Sequence, residues 1–296
     1  MPLHYLNHSE INKAKWDEAL ERSQSPLVYA YSWYLDCVAP GWSALVLDDY
    51  MAIFPIPEKQ KWGIRYALHP LFAQQLGWFV TPGHMVPENW HKALPKHLQF
   101  VWLQLNAHTS VMASGYKKNY VLRNLHEGRP KATTNTRRNI KKAKGHHLIF
   151  SRDITLQQLL AMKRRHATNL SEARLQVLSK LLQTLLDKQK GELAGVKDDK
   201  GELLAVVFLA HSFNRLIYLM AASTDEGRQK RAMFYLVDQL LKKVPPQFFL
   251  FDFEGGNNPN LARFFQGFGA EEEQIPLFYA SRLPWPLSRL LFRKLT

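Results

Sequence analysis

The sequence predicts an α/β fold of mixed α+β character, built as two units, and three observations carry that expectation. Short apolar or alternating runs typical of strands are interleaved with amphipathic helical segments along the whole chain. The 296 residues exceed what one core of ordinary size needs. Gly128-Arg-Pro130 breaks the pattern near the middle. The expected division is a first domain over 1–130, a second over 131–283, and a basic amphipathic tail over 284–296.

In the first half, the chain opens with an amphipathic stretch from about Ile11 to Leu20. Trp42–Leu47 and Met51–Ile56 read as strands joined through Asp48-Asp49, a hairpin. Gly77–Val80 reads as a strand, Pro87–Leu98 as a helix with prolines in it, and Phe100–Leu105 and Tyr116–Leu125 as strands. In the second half, Thr134–Lys144 is expected to be a helix capped by Thr133 or Thr134, followed by a strand at Leu148–Ser151. The leucines of Leu156–Thr168 and Arg174–Lys188 recur at helical spacing, which marks core packing. Strands follow at Leu193–Val196, Leu203–His211 and Leu216–Ala222. A helix from about Lys230 to Lys243 is stopped by Pro245-Pro246. Phe248–Glu254 reads as a strand, then an aromatic helix closes at Gly267 and Gly269, and Ile275–Arg282 is the last strand.

Composition excludes several classes. Aliphatic and aromatic residues are too plentiful for disorder. No run is long and apolar enough to span a bilayer, and Met1–Glu10 lacks the pattern of a secretory leader, so a cytoplasmic protein is expected. Cys37 is the only cysteine, which excludes an internal disulfide and a cysteine-ligated zinc; its aromatic surroundings suggest a small core residue. The histidines form no His-Glu-x-x-His set, so no metal is expected. Gly-x-Ser-x-Gly and Walker-type runs are missing, which argues against serine-hydrolase and P-loop chemistry.

A net charge of +14 attracts anions, whether nucleic acid, phosphorylated substrates or an acidic membrane face. The excess concentrates between Lys117 and Lys144, where Glu127 is the one acid. On the helix expected there, Arg137 stands above Lys141 and Arg138 above Lys142. Such rows either hold phosphates or form a solvated face. The tail, with Leu287, Leu290, Leu291, Phe292 and Leu295 beside Arg289, Arg293 and Lys294, is expected to dock on its own domain; peripheral contact with an anionic membrane is the alternative.

Phe251-Asp-Phe-Glu-Gly-Gly256 is the most informative stretch. Its alternation puts Asp252 and Glu254 on one face of a strand, roughly 7 Å apart, where the sheet ends and a glycine turn opens. Two carboxylates there either serve chemistry or cap the next helix. Asn257, Asn258 and Asn260 either bind substrate or simply make the turn. Tyr218 and Tyr279 lie in expected strands, suited to core packing or to donating a proton.

Three segments in this order resemble the FemAB-like branch of the acyl-CoA N-acyltransferase (GNAT) superfamily. They are Asn135-Thr-Arg-Arg-Asn-Ile-Lys-Lys-Ala143, the run Tyr218-Leu-Met-Ala-Ala-Ser-Thr224 leading into Gly227-Arg-Gln-Lys-Arg231, and Phe251-Asp-Phe-Glu-Gly255 with Arg263-Phe-Phe-Gln-Gly-Phe-Gly-Ala270. The resemblance covers about residues 131–282 and implies two GNAT-like domains, each a twisted mixed sheet flanked by helices. It further implies transfer of an acyl group from acyl-CoA to a primary amine of a small molecule or peptide, with no metal. In a related branch the donor is aminoacyl-tRNA; a third possibility is a binding module without activity on the same fold. Carried onto this chain, the resemblance assigns Gly227, Arg228, Gln229, Lys230 and Arg231 to the pyrophosphate of the donor, Glu254 with Asp252 to the amine proton, and Arg137, Arg138, Lys141, Asn257 and Asn258 to substrate. The donor turn departs from the family pattern in holding a single glycine and two acids, Asp225 and Glu226.

Overall fold

The computed structural model describes residues 2–126, 128, 131–166 and 170–295, the last turn in backbone only at 291, 292, 294 and 295. Arg129 and Pro130 of the expected domain break, Thr168 at the end of an expected helix, and the side chains of Leu291, Phe292, Lys294 and Leu295 lie outside the described residues.

The chain opens with β1 (Leu3–Leu6), α1 (Lys13–Arg22), α2 (Ser32–Val38), β2 (Ser43–Leu47) and β3 (Ala52–Ile56). The hairpin β4 (Glu58–Lys61) and β5 (Ile64–Leu68) follows, then β6 (Phe79–Val80) and β7 (Leu98–Gln104). Next come β8 (Gly115–Leu122), α3 (Thr134–Lys144), β9 (Ile149–Ser151), α4 (Leu156–His166) and α5 (Glu172–Asp187). The meander β10 (Gly191–Lys197), β11 (Leu203–Ser212), β12 (Arg215–Ser223) leads to α6 (Asp225–Gln229) and α7 (Ala232–Lys242). The chain ends with β13 (Leu250–Asp252), α8 (Pro259–Gly267), β14 (Glu271–Ser281) and α9 (Trp285–Leu295).

Contacts divide the chain into residues 1–117 with 274–296 and residues 118–273. The expected limits were 130 and 283. The difference follows from strand pairing: Leu277–Ser281 of β14 pair antiparallel with Phe100–Gln104 of β7, which returns the end of the chain to the first unit.

The first unit holds a sheet ordered β1-β2-β3-β6 and strands ordered β4-β5-β7-β14. Its core is aromatic: Phe54 packs against Trp78 and Trp90, and Trp16 packs tilted against Trp42. Cys37 is buried in it. Where a helix was expected over Pro87–Leu98, only Trp90–Ala93 coil, as a 3-10 turn. Pro95 has no N–H to donate and forbids helical geometry just before itself, so the turn cannot propagate. Tyr279, one of the two tyrosines weighed as proton donors, belongs to this unit and donates its hydroxyl to the Ser288 carbonyl of α9 at 2.8 Å. Among the described side chains of that helix, Trp285, Leu287 and Leu290 are exposed.

The second unit is a sheet ordered β8-β13-β12-β11-β10-β9. Val207 and Leu209 of β11 and Ala194 and Val196 of β10 pack with Ile140, Leu236 and Phe265, so α3, α7 and α8 cover one face. The alternate residues look the other way. A Cβ at Gly191 would strike the Phe208 ring and Leu185 of α5, which places α5, and α4 packed on it, on the opposite face. Thr133 caps α3 through Thr136 N–H, one of the two expected caps. No helix among the described residues is long and apolar enough to cross a membrane.

His69, fully buried in the first unit, accepts from Gln104 N–H at 3.2 Å and faces the Ala73 carbonyl at 2.9 Å. Burial pushes its pKa down from 6.5 to about 4. The folded chain thus binds this proton more weakly than the unfolded chain, and acid favours unfolding. Its contribution is whole above pH 6.5 and is lost as pH falls through about 4, on the order of 3 kcal/mol. Urea unfolding across that range should show the slope, and His69→Gln, which keeps both hydrogen bonds without titrating, should flatten it.

Candidate active site

β12 and β13 run parallel and pair only from Arg215↔Leu250 to Ile217↔Asp252. Beyond that point the two strands part. On its other edge β12 follows β11 with a register shift: Phe208 faces Met220 and Leu209 faces Tyr218, so Leu219 is an extra residue and the strand bends there. The gap is a cavity of about 570 Å³. Its walls come from β12, from the start of α7 (Met233, Phe234), from α8 (Leu261, Phe264, Phe265) and, from the opposite face of the sheet, from Lys163 of α4.

The two acids end up in different places. Asp252 is fully buried. It takes an ion pair from Arg215 at 2.5 Å and accepts the Glu254 N–H at 3.0 Å. Glu254 lines the cavity. Its backbone is left-handed at φ 50°, and Gly255 and Gly256 continue at 69° and 144°. Three such residues in succession end the strand at Asp252, short of the expected Glu254, and the glycines are the cheap positions for this geometry. A Cβ on Gly256 would sit 2.3 Å from the Tyr120 ring.

The expected donor segment is divided as well. The helix expected from about Lys230 is α7, which begins at Ala232, and a turn that was not expected, α6, capped by Thr224, precedes it with Arg231 left-handed at φ 60° between the two. Gly227, Arg228 and Arg231 line the cavity; Gln229 and Lys230 are not among its walls. Gly227 packs on β11 so tightly that a Cβ would lie 2.2 Å from the Leu204 carbonyl oxygen. Arg228 donates to the Ser223 carbonyl at 3.0 Å and pairs with Asp225, while Lys230 pairs with Glu226 at 2.6 Å. The two acids of this turn are thus satisfied locally. Arg231 makes no side-chain cap, which leaves the first N–H groups of α7 uncapped by it.

Arg137, Arg138 and Lys141 lie on the exposed face of α3 and are not among the cavity's walls. Among the described residues no carboxylate pairs with them. Lys118 and Arg123, from the same basic stretch, pair with Glu272 at 2.9 Å and Glu273 at 2.7 Å. Asn257 accepts the Lys118 N–H at 3.1 Å, and Asn258 accepts the Asn260 N–H at 2.9 Å as the cap of α8. Both make the turn, and Asn260 is the asparagine that reaches the cavity. Tyr218 also lines it, with its hydroxyl 3.0 Å from Met233 Sδ and its pKa driven up by burial.

Lys163 was not singled out in the sequence. The signal was present: Leu156, Leu159 and Lys163 fall at i, i+3 and i+7, so a lysine stands in the inward stripe of α4. Among the described residues no three His, Cys, Asp or Glu side chains converge to hold a metal.

Residues 130–260 match the sequence family described as acetyltransferase (GNAT) domain. The fold is similar to that of FemX, at 12% identity and TM-score 0.67, over 98% of this chain and 100% of that one. It is also similar to L-PGS from Bacillus licheniformis, at 13% identity and TM-score 0.54 over 95% and 96% of the two chains. A tandem GNAT protein from the clavulanic acid biosynthesis pathway aligns at 12% identity and TM-score 0.52 over 96% and 99%. No curated protein sequence matches this chain. The match over residues 130–260 to a GNAT acetyltransferase domain and the similarity of the fold to that of two-domain GNAT-like proteins agree with the FemAB-like resemblance.

The buried pair at the mouth of the gap is a stability determinant. Arg215→Met leaves Asp252 charged without its partner, so unfolding in urea should show a loss of about 3–5 kcal/mol; a neutral companion change, Asp252→Asn in the same chain, should recover most of it.

Proposed function

We propose that this protein is an N-acyltransferase that moves an acyl group from acyl-CoA to a primary amine. The observation that carries the reading is the parting of β12 from β13 into a cavity with cations at one end and Glu254 at its wall. A donor's pyrophosphate is suited to the first N–H groups of α7, with Arg231 and Arg228 beside them and Gly227 permitting close approach. The pantetheine arm then runs along the edge of β12 that β13 has left, where strand N–H groups polarise the thioester carbonyl.

In the transfer itself, the amine nitrogen attacks the thioester carbon, the C–N bond forms and the C–S bond breaks. The ammonium must first lose a proton, and Glu254 is the acceptor in reach of the cavity. The departing thiolate takes a proton from Tyr218 or from water. Asp252, tied to Arg215 and to the Glu254 N–H, serves by fixing the backbone from which Glu254 projects. Titration with acetyl-CoA should show one saturable site per chain. Glu254→Gln should keep donor affinity and lower the rate of amide formation by about 10²–10⁴; an unchanged rate rejects the assignment of the base.

One observation favours aminoacyl-tRNA as the donor instead: the five cations Arg137, Arg138, Lys141, Lys142 and Lys144 on the exposed side of α3, with which no carboxylate among the described residues pairs. On that reading tRNA binding falls steeply with salt, and replacing three of the five by glutamine lowers the slope of log affinity against log salt by about 2–3. Binding that ignores those substitutions excludes α3 as the nucleic-acid track.

A further inference from the structure

The cavity has charged side chains on both faces of the sheet. Arg228 and Arg231 stand on the α7 side and Lys163 on the α4 side, and Glu254 is the carboxylate among the walls. Arg228 is already neutralised by Asp225. Lys163 is half-buried in the last turn of α4, on the stripe that carries Leu156, Leu159 and Met162 into the core. Among the described residues it has no ion pair and no hydrogen bond. A half-buried lysine without a partner forfeits part of its hydration, and burial holds its ammonium below the ordinary value. A fold that only needed a core residue here is better served by leucine or methionine, since an unpaired half-buried charge costs stability.

We infer that Lys163 binds a carboxylate on the acceptor, so that the amine acylated here is that of an amino acid or a short peptide. The inference rests on the transferase reading above and narrows its acceptor. Two features support it. The phosphates of a donor have their own cations at the start of α7, on the other face of the sheet, so Lys163 is left for a second anion. Glu254 and Lys163 line one cavity and present opposite charges, which matches a molecule carrying both an ammonium and a carboxylate. An amine without an acid group pairs with Glu254 and leaves Lys163 uncompensated.

The test is calorimetric titration, without donor, of a panel of L-amino acids and unprotected dipeptides, each paired with its C-terminal amide. Wild-type protein should prefer the acid over its amide by on the order of 10- to 100-fold for at least one member. Lys163→Met, which keeps the length and removes the charge, should abolish that preference and fold at least as stably, and Lys163→Arg should retain it. Acid and amide binding alike, a preference that survives in Lys163→Met, or no panel member binding would overturn the inference. Acetyl-CoA is titrated separately on the same samples. An acid preference that depends on Lys163 with no donor binding supports the anion site while rejecting acyl-CoA as donor; donor binding with no acid preference does the reverse.

Discussion

The separation of β12 from β13 after three paired residues governs the second unit, and a buried ion pair decides where it happens. Arg215 and Asp252 close the paired segment at its two ends, with the carboxylate in the fully buried interior. A charge that deep tolerates one arrangement of its partner, so the last ladder rung is fixed with it. Everything beyond is a consequence. The left-handed run from Glu254 to Gly256 can start only where pairing has ended, and it turns the chain into α8, whose Phe264 and Phe265 then close one side of the gap. The register shift at Leu219 bends β12 away from the same point. Without it, a flat ladder would leave no room between the strands.

Charge is distributed less simply than the net value suggests. In the second unit, two of the cations of the basic stretch are consumed by Glu272 and Glu273, and those of the donor turn by Asp225 and Glu226. Two groups among the remainder differ in character. The α3 cations are solvated and cost little, so they act through their field and yield to salt. Lys163 is shielded from salt and costs stability where it stands, so it acts through contact.

Most of the fold was legible, because apolar periodicity is written into the segments that pack. The hairpin β2–β3, the helices α3, α4 and α5, and the meander β10–β12 follow it within a few residues. The failures have identifiable causes. β4 reads Glu-Lys-Gln-Lys and has no apolar face to announce a strand. The single turn α6 reads Asp-Glu-Gly-Arg-Gln and likewise has no apolar face to announce it. In the candidate site, the alternation placed Asp252 and Glu254 on one face, but a parallel partner strand buries the first and a turn carries the second to the cavity wall. Asn257 and Asn258 carry the turn, as their chemistry suggests. Lys163 was hidden by its own context, a lysine among leucines that reads as the polar end of a helix until the neighbouring strand is seen.

A cavity walled from both faces of one sheet also has a kinetic meaning. Two ligands that approach from opposite sides do not compete for a doorway, so neither has to leave before the other arrives. On the transferase reading proposed above, transfer in such a space would run through a complex of three partners, the group in transit passing directly from one to the other. The only thiol in the chain is buried in the core of the first unit, and nothing in the gap calls for one.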